Sequence, residues 1–178
     1  MQISILNKIN SRSLFLAIFL ICFFAVGYAM YAQFYQNADP CPLCIAQRVI
    51  FAAIALVSLI AFIHGAKKTG TLVYSVLIIA LAIFGIKTAY HHVWLQSLPP
   101  SEWPASCGMP LSILYKQIPL SGFLHTVLSG SAECAMVSWK VLGISGAKLS
   151  LYGFSLILII CLFCVAKSFC KKNHETYI

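Results

Sequence analysis

Charged side chains are the scarcest feature of this sequence. Only 9% of the 178 residues are charged, and only 4 residues are Asp or Glu, whereas soluble domains carry about 25% charged residues. A large soluble domain is therefore excluded. The 12 Lys and Arg residues give a net charge of +8, but they form no basic patch with interleaved aromatic residues, so nucleic acid is not an expected partner.

Apolar residues dominate the composition. The chain is 61% hydrophobic with a mean hydropathy of +0.90, which is typical of a membrane protein. Four stretches reach the length of about 20 residues that a membrane helix needs, namely 14–34, 43–63, 72–95 and 149–169. The first is longer than a signal-peptide core, so we expect a retained helix. The sequence predicts one all-α integral membrane domain over 1–178, a bundle of four transmembrane helices.

The distribution of Lys and Arg predicts the orientation of the bundle. Seven of them lie in the N-terminus, the loop "HGAKKTGT" and the C-terminal tail, against three in the other two connections. The positive-inside rule then places both termini in the cytoplasm and the loops 35–42 and 96–148 on the outer face. Within the long loop, "PLSGFLHTVLSG" (119–130) predicts a short helix, either lying on the membrane or packed on the bundle.

Four of the eight cysteines fall in or beside the outward connections: Cys41, Cys44, Cys107 and Cys134. The outer face of a bacterial inner membrane is oxidising, so paired thiols there are expected to form disulfides. Three further cysteines, Cys22, Cys161 and Cys164, lie in apolar stretches and are predicted to pack as small hydrophobic side chains. The last, Cys170, falls in the cytoplasmic tail.

The segment "CPLCIAQR" combines a thiol pair with a charge at the start of an apolar run. Pro42 suits the first turn of a helix, which puts Cys44 in that turn, where the positive end of the helix dipole favours a thiolate. Arg48 follows one turn later on the same face and is suited to stabilise that thiolate or a bound acceptor. The alternatives are a structural disulfide, a zinc site with Cys107 and Cys134, and an arginine that reaches to the interface.

These residues carry a resemblance to a known family. "CPLCIAQR" fits the C-x-L-C-x-x-x-R of the disulfide bond formation protein B family, the quinone-reducing thiol oxidases of the bacterial inner membrane. "YHHVWLQ" (90–96) resembles the end of that family's third helix, and "PASCG" with "SAECAMVSWKVLGIS" resembles its second cysteine pair. The resemblance covers nearly the whole chain and agrees with four helices and a long second outer loop.

The resemblance implies a relay between two disulfides, Cys107–Cys134 and Cys41–Cys44. Cys107 would form a mixed disulfide with a reduced periplasmic dithiol oxidase of thioredoxin fold (DsbA-like), and electrons would pass through a Cys41–Cys134 bond. Cys44 would then donate to a membrane quinone, ubiquinone or menaquinone, that Arg48 helps to hold. No metal is part of this scheme. The active site would face the periplasm, in contact with lipid and quinone.

The histidines of "YHHVWLQ" are further candidates. His92 aligns best with the family's third-helix histidine, and either His91 or His92 would line the quinone pocket or handle its protons. The alternative is an interfacial histidine bonded to a headgroup or a loop carbonyl. For the whole chain, two other functions stay open: a membrane metal-binding or transport protein using Cys and His, and a structural subunit stapled by inert disulfides.

Overall fold

The structure, a computed structural model, describes residues 11–37, 39–65, 67–104, 119–137, 139–141 and 143–175. Its elements are α1 (Ser11–Tyr35), α2 (Pro42–His64), α3 (Lys68–Leu95), a 3₁₀ turn (Pro100–Glu102), α4 (Leu120–Ser129), α5 (Ala132–Ala135), the strands β1 (Lys140–Val141) and β2 (Ile144–Ser145), and α6 (Gly146–Glu175). The two strands pair antiparallel as a small hairpin just before α6.

Within the described residues, four helices are long and apolar enough to cross a membrane: α1, α2, Thr69–Leu95 of α3 and Gly146–Ala166 of α6. This confirms the prediction of an all-α membrane protein built on four helices, to which the described part of the chain adds a 3₁₀ turn, the short helix α5 and the hairpin. Large apolar side chains such as Phe24 and Ile63 remain about two-thirds exposed, at 67% and 66%. Such a surface suits contact with lipid. The side of the membrane on which each terminus lies stays a prediction.

The helices pack as a closed ring in which α1 contacts α2, α2 contacts α3, α3 contacts α6, and α6 returns to α1. Close approach at the centre depends on small residues and on one aromatic stack. The rings of Phe51 and Phe154 lie parallel with centroids 3.9 Å apart. A Cβ on Gly85 would lie 2.6 Å from the Phe154 ring, so only glycine lets α3 pack this closely on α6.

The start of α2 follows directly from "PCPLC". Cys41 is the N-cap in extended conformation, and Pro42 occupies the first turn, where its missing N–H costs nothing. The sulfur of Cys41 accepts a hydrogen bond from the backbone N–H of Cys44 at 3.4 Å. The helix ends at Gly65, whose φ of +58° fits a left-handed C-cap. The cap therefore fixes both cysteines at the end of the bundle.

Two short helices of the long loop cover that same end. Helix α4, which falls in the predicted stretch 119–130, contacts α2, and α5 contacts both α2 and α3. Between them Gly130 has φ +77°, and a Cβ there would lie 2.7 Å from Leu95 Cδ1 and 3.0 Å from Leu43 Cδ1. Glycine thus lets the loop backbone close over α2 and α3. The contact favours a packed α4, and a position on the membrane surface stays a prediction.

Candidate active site

Three cysteine sulfurs meet where α5 covers the start of α2. Cys41 Sγ and Cys44 Sγ lie 3.1 Å apart, hydrogen bonded and not covalently joined. Cys134, on α5, is fully buried in the same cluster of side chains as Cys41, and its sulfur interacts with the Cys41 thiol. The apolar side chains of Leu43 and Leu95 enclose this end of the pair. Cys41 therefore interacts with both of the other sulfurs.

The hydrogen bonds give the two buried thiols opposite acidities. The bond from the Cys41 thiol, followed by the backbone N–H groups of Leu43 and Ser131, lowers the pKa of Cys134 to about 6, although burial opposes this. Donation to Cys134 and then to Cys44, together with burial, raises the pKa of Cys41 far above its usual range. This arrangement favours the thiolate at Cys134 and the protonated thiol at Cys41.

His92 lies beside the same sulfurs. Its side chain is buried, with Nε2 3.7 Å from Cys41 Sγ and 3.5 Å from the Gln96 side-chain nitrogen. On the other side of the ring, Gln47 Nε2 lies 3.1 Å from Nδ1. The buried Gln47 amide thereby fixes the orientation of the imidazole. His92 is placed to exchange a proton or a hydrogen bond with Cys41.

His91 points to a different partner. Its Nε2–H donates to the backbone carbonyl of Ser129, 3.0 Å away at the end of α4. The ring also stacks on Trp94, with centroids 5.6 Å apart. A bond to a loop carbonyl is the alternative that the sequence left open to a histidine lining the quinone pocket. His91 ties α3 to the loop that carries Cys134, and its predicted role at a quinone stays a prediction.

Arg48 is anchored to the end of α1. One guanidinium nitrogen donates to the side-chain oxygen of Gln33, and the other donates to the Ala29 carbonyl at 3.0 Å. Both acceptors are neutral, so they hold the group in place without cancelling its charge. The cation interacts electrostatically with Cys44 across the first turns of α2. Both functions predicted for Arg48, stabilising negative charge at Cys44 and holding a bound acceptor, stay predictions.

A cavity of about 290 Å³ opens beside Arg48, between α1, α2, β1 and α6. Apart from Arg48 and Gln47, its walls are mainly apolar or aromatic, and they include Tyr28, Phe51 and Trp139. Small-molecule pockets start at about 300 Å³, so this volume suits a single ring better than a long chain. Gln47 contacts both this cavity and His92. Cys44 and the two histidines are not among its lining residues.

The structure brings together most of the predicted site residues. Cys41, Cys44, Cys134 and His92 form one cluster, and Arg48 adjoins it through Cys44. Cys107 lies outside the described residues, so its bond to Cys134 stays a prediction, as does a Cys41–Cys44 disulfide. Cys22, Cys161 and Cys164 are buried in the described bundle, as the prediction of simple packing requires.

Sequence reasoning missed the amide side chains that support the site. Gln47 orients His92, and Gln33 holds Arg48. A signal for Gln47 was present: it is an amide inside an apolar span, where polar groups need partners. No comparable signal marks Gln33, which stands near the end of a span where polar residues are common.

Comparisons with known proteins agree in pointing to one family. The family model described as "Disulfide bond formation protein DsbB" matches residues 11–164. A relative from Aromatoleum aromaticum, "Disulfide bond formation protein B", is 35% identical over 89% of this chain and 94% of its own length. Relatives of the same name from Methylococcus capsulatus and Stutzerimonas stutzeri are 43% and 40% identical, over 76% and 86% of this chain and 82% and 94% of their own lengths. These names do not favour a metal-binding or transport protein.

Proposed function

The chain belongs to the disulfide bond formation protein B family, a multi-pass membrane family of disulfide-forming oxidoreductases, and on that premise we propose that it reoxidises a periplasmic dithiol oxidase of thioredoxin fold. The electrons pass through two cysteine pairs to a membrane quinone. The main support is the position of Cys41, whose thiol interacts with both Cys134 and Cys44.

The first transfer exchanges one disulfide for another. The partner's dithiol reduces Cys107–Cys134 and leaves the partner oxidised, with two thiols on this chain. The Cys134 thiolate then attacks Cys41 Sγ, so that the Cys41–Cys44 bond breaks, a Cys41–Cys134 bond forms and Cys44 leaves as a thiolate. The backbone N–H groups of Leu43 and Ser131 lower the pKa of Cys134 and favour the attacking thiolate even while Cys41 is in a disulfide, and the proximity of Cys134 to Cys41 supplies the direction of attack.

Arg48 and the N-terminal end of α2 stabilise the negative charge that forms on Cys44 as it leaves the disulfide. Cys44 lies in the first turn of α2, where the helix dipole is positive. The Arg48 cation adds a fixed positive charge held by neutral acceptors. Attack of Cys107 on Cys134 then restores the first disulfide and leaves Cys41 and Cys44 as a dithiol. Each cycle thereby delivers two electrons and two protons to this pair.

The cavity beside Arg48 fits the ring of a quinone. Its walls are apolar, its volume of about 290 Å³ suits one ring, and Arg48 presents the cation that a quinone oxygen needs. When bound, a quinone supplies an acceptor for two electrons. Arg48 orients that oxygen, and Tyr28 and Trp139 exclude water from the ring. His92, held by Gln47, takes up or returns the proton of Cys41.

The same scheme assigns the chain to the bacterial inner membrane with the site on the periplasmic face. The excess of Lys and Arg on the opposite connections supports that orientation. A thiol relay also requires an oxidising compartment in which the partner's substrates fold. Cys41, Cys44 and Cys134 are all at one end of the bundle, so one orientation serves the whole relay.

Quinone reduction by purified protein tests the proposal. The protein is mixed with a reduced thioredoxin-fold dithiol oxidase and a soluble quinone, and quinone absorbance is followed. Wild type should turn over, whereas Cys44→Ala, Cys107→Ala and Cys134→Ala should not. Cys22→Ala, which removes a thiol buried in the apolar core, is the matched control and should retain activity. Turnover by the three site variants would refute the relay.

A further inference from the structure

The reduced site holds three metal-ligating atoms in one place. The sulfurs of Cys41 and Cys44 and a ring nitrogen of His92 all lie within 4.8 Å of one another. Cys41 and His92 are buried, and Cys44 is half-buried. Two thiolates and an imidazole are ligands that thiophilic cations such as Zn²⁺ and Cu⁺ prefer. The proposed relay uses these atoms only for electrons and protons.

Two of the distances between these ligand atoms are close to those of tetrahedral coordination. Zinc bonds of about 2.3 Å to sulfur and 2.0–2.1 Å to nitrogen require edges of about 3.8 Å between sulfurs and about 3.6 Å between sulfur and nitrogen. Cys41 Sγ and His92 Nε2 are already 3.7 Å apart. The two sulfurs, at 3.1 Å, need to separate by a fraction of an ångström. This follows once deprotonation removes the S–H···S hydrogen bond between them.

The surroundings of His92 complete such a site. A histidine that binds metal through Nε2 carries its proton on Nδ1, which needs an acceptor. Gln47 lies at Nδ1, at 3.1 Å, and an amide can present its oxygen there after rotation by half a turn. Two thiolates and one Zn²⁺ ion sum to zero charge, so exchanging the two thiol protons for this ion adds no net charge to the buried site.

We propose that the dithiol form of this site captures a thiophilic cation, with Cys41, Cys44 and His92 as ligands, and that capture stops the relay. Binding of Zn²⁺ releases two protons as the two thiols become metal-bound thiolates. No electrons move, and the sulfurs are held reduced with their lone pairs occupied. The inference rests on the proposed function, since that relay produces the dithiol form in every cycle. The cation is an inhibitor and takes no part in turnover.

Optical titration with Co²⁺, a spectroscopic substitute for Zn²⁺, tests the site directly. The protein is fully reduced, freed of reductant without oxygen and titrated with Co²⁺ alone. One equivalent should produce sulfur-to-metal charge-transfer absorbance together with the visible bands of tetrahedral Co²⁺, and Zn²⁺ should abolish both. Protein carrying the Cys41–Cys44 disulfide should show neither. Absence of these bands in reduced wild type would overturn the inference.

Matched variants identify the ligands. His92→Ala should weaken Co²⁺ binding by more than about 100-fold, and Gln47→Leu by about 10–100-fold, as for a residue that orients a ligand. The nearly isosteric Cys44→Ser should lose most charge-transfer intensity, which covers the case that His92→Ala fails to fold. His125→Ala, at an exposed histidine of α4, should bind like wild type. Equal binding by His92→Ala and wild type would refute the assigned ligand set.

Quinone reduction without metal separates this inference from the proposed function. Normal turnover with no cobalt bands refutes the metal site and leaves the relay intact. Cobalt bands in a protein that cannot reduce quinone support the site and refute the relay. If both hold, Zn²⁺ should inhibit turnover, and a chelator should restore it.

Discussion

The chain contains two C-x-x-C pairs with the same spacing and different surroundings. Cys41 and Cys44 begin a helix, where backbone N–H groups, Cys134, His92 and Arg48 surround them. Cys161 and Cys164 lie inside α6, at 0% and 1% exposure, where the helix's own carbonyls already occupy the backbone N–H groups. Burial in such apolar surroundings makes a thiol unreactive. The comparison shows that spacing identifies a candidate pair and that its neighbours determine its reactivity.

Removal of one sulfur from each pair should give the largest contrast. Cys41→Ser should slow oxidation of the periplasmic partner by at least about a thousandfold, because this sulfur forms two successive covalent bonds in the relay. Cys161→Ser should leave that rate within about twofold, since its only role is packing. The measurement is the redox state of the partner in cells, trapped by alkylation. A strong defect in Cys161→Ser would assign a function to the inner pair.

The two cysteine pairs also differ in that only the pair at the start of α2 adjoins a cation, Arg48. Arg48→His should raise the quinone KM by about tenfold or more, since a charge-assisted hydrogen bond contributes about 1.5–3 kcal/mol. The KM for the partner dithiol should change little. Arg12→His is the control, because Arg12 donates to the Phe62 carbonyl at the opposite end of the bundle. An unchanged quinone KM in Arg48→His would remove Arg48 from the acceptor site.

The Cys134 thiol should be recognisable by its low pKa. In fully reduced Cys107→Ser protein, the thiolate of Cys134 should form with a midpoint near its pKa of about 6. An ordinary thiol titrates near about 8.5. The thiolate is lost as the pH falls through 6, so its ultraviolet absorbance in the reduced protein should disappear over that range. Ultraviolet absorbance measures the midpoint, by difference against the protein that also carries Cys134→Ser.

The hydrogen bond from Cys41 explains most of that acidity, and its removal provides the control. In the Cys41→Ala background the midpoint should move upward, because the first cause of the low pKa of Cys134 is gone. A midpoint near that of an ordinary thiol in both proteins would contradict the contact between Cys134 and Cys41.

The smallest expected effect concerns the loop that places Cys134. Gly130 and Gly143 both have positive φ, at +77° and +83°, but only Gly130 packs against other side chains. Gly130→Ala should push the loop away from Leu43 and Leu95 and slow thiol transfer several-fold. It should also lower the free energy of unfolding by about 1–3 kcal/mol. Gly143→Ala should lower stability only through backbone strain at its positive φ, and it should leave the rate of thiol transfer unchanged. Equal transfer rates in the two variants would show that the Gly130 contact does not position Cys134.

The bundle could be predicted because its causes are local in the sequence. Long apolar stretches define the helices, and "PCPLC" contains the cap that fixes the start of α2. The contact of Cys134 with Cys41 could not be derived from pattern alone, since it depends on a loop folding back 93 positions along the chain. The resemblance to a family implied that contact. The support from Gln47 and Gln33 escaped prediction because either amide has several possible partners on neighbouring helices.

Disulfide trapping tests most directly whether Cys134 reacts with Cys41 and not with Cys44. The variant Cys44→Ser/Cys107→Ser keeps Cys41 and Cys134 as its outward thiols, and Cys41→Ser/Cys107→Ser keeps Cys44 and Cys134. After mild oxidation, mass spectrometry of non-reduced peptides should find a Cys41–Cys134 bond in nearly all of the first protein and little Cys44–Cys134 bond in the second. An equal or greater yield of the Cys44–Cys134 bond would contradict the assignment of Cys41 as the sulfur that Cys134 attacks.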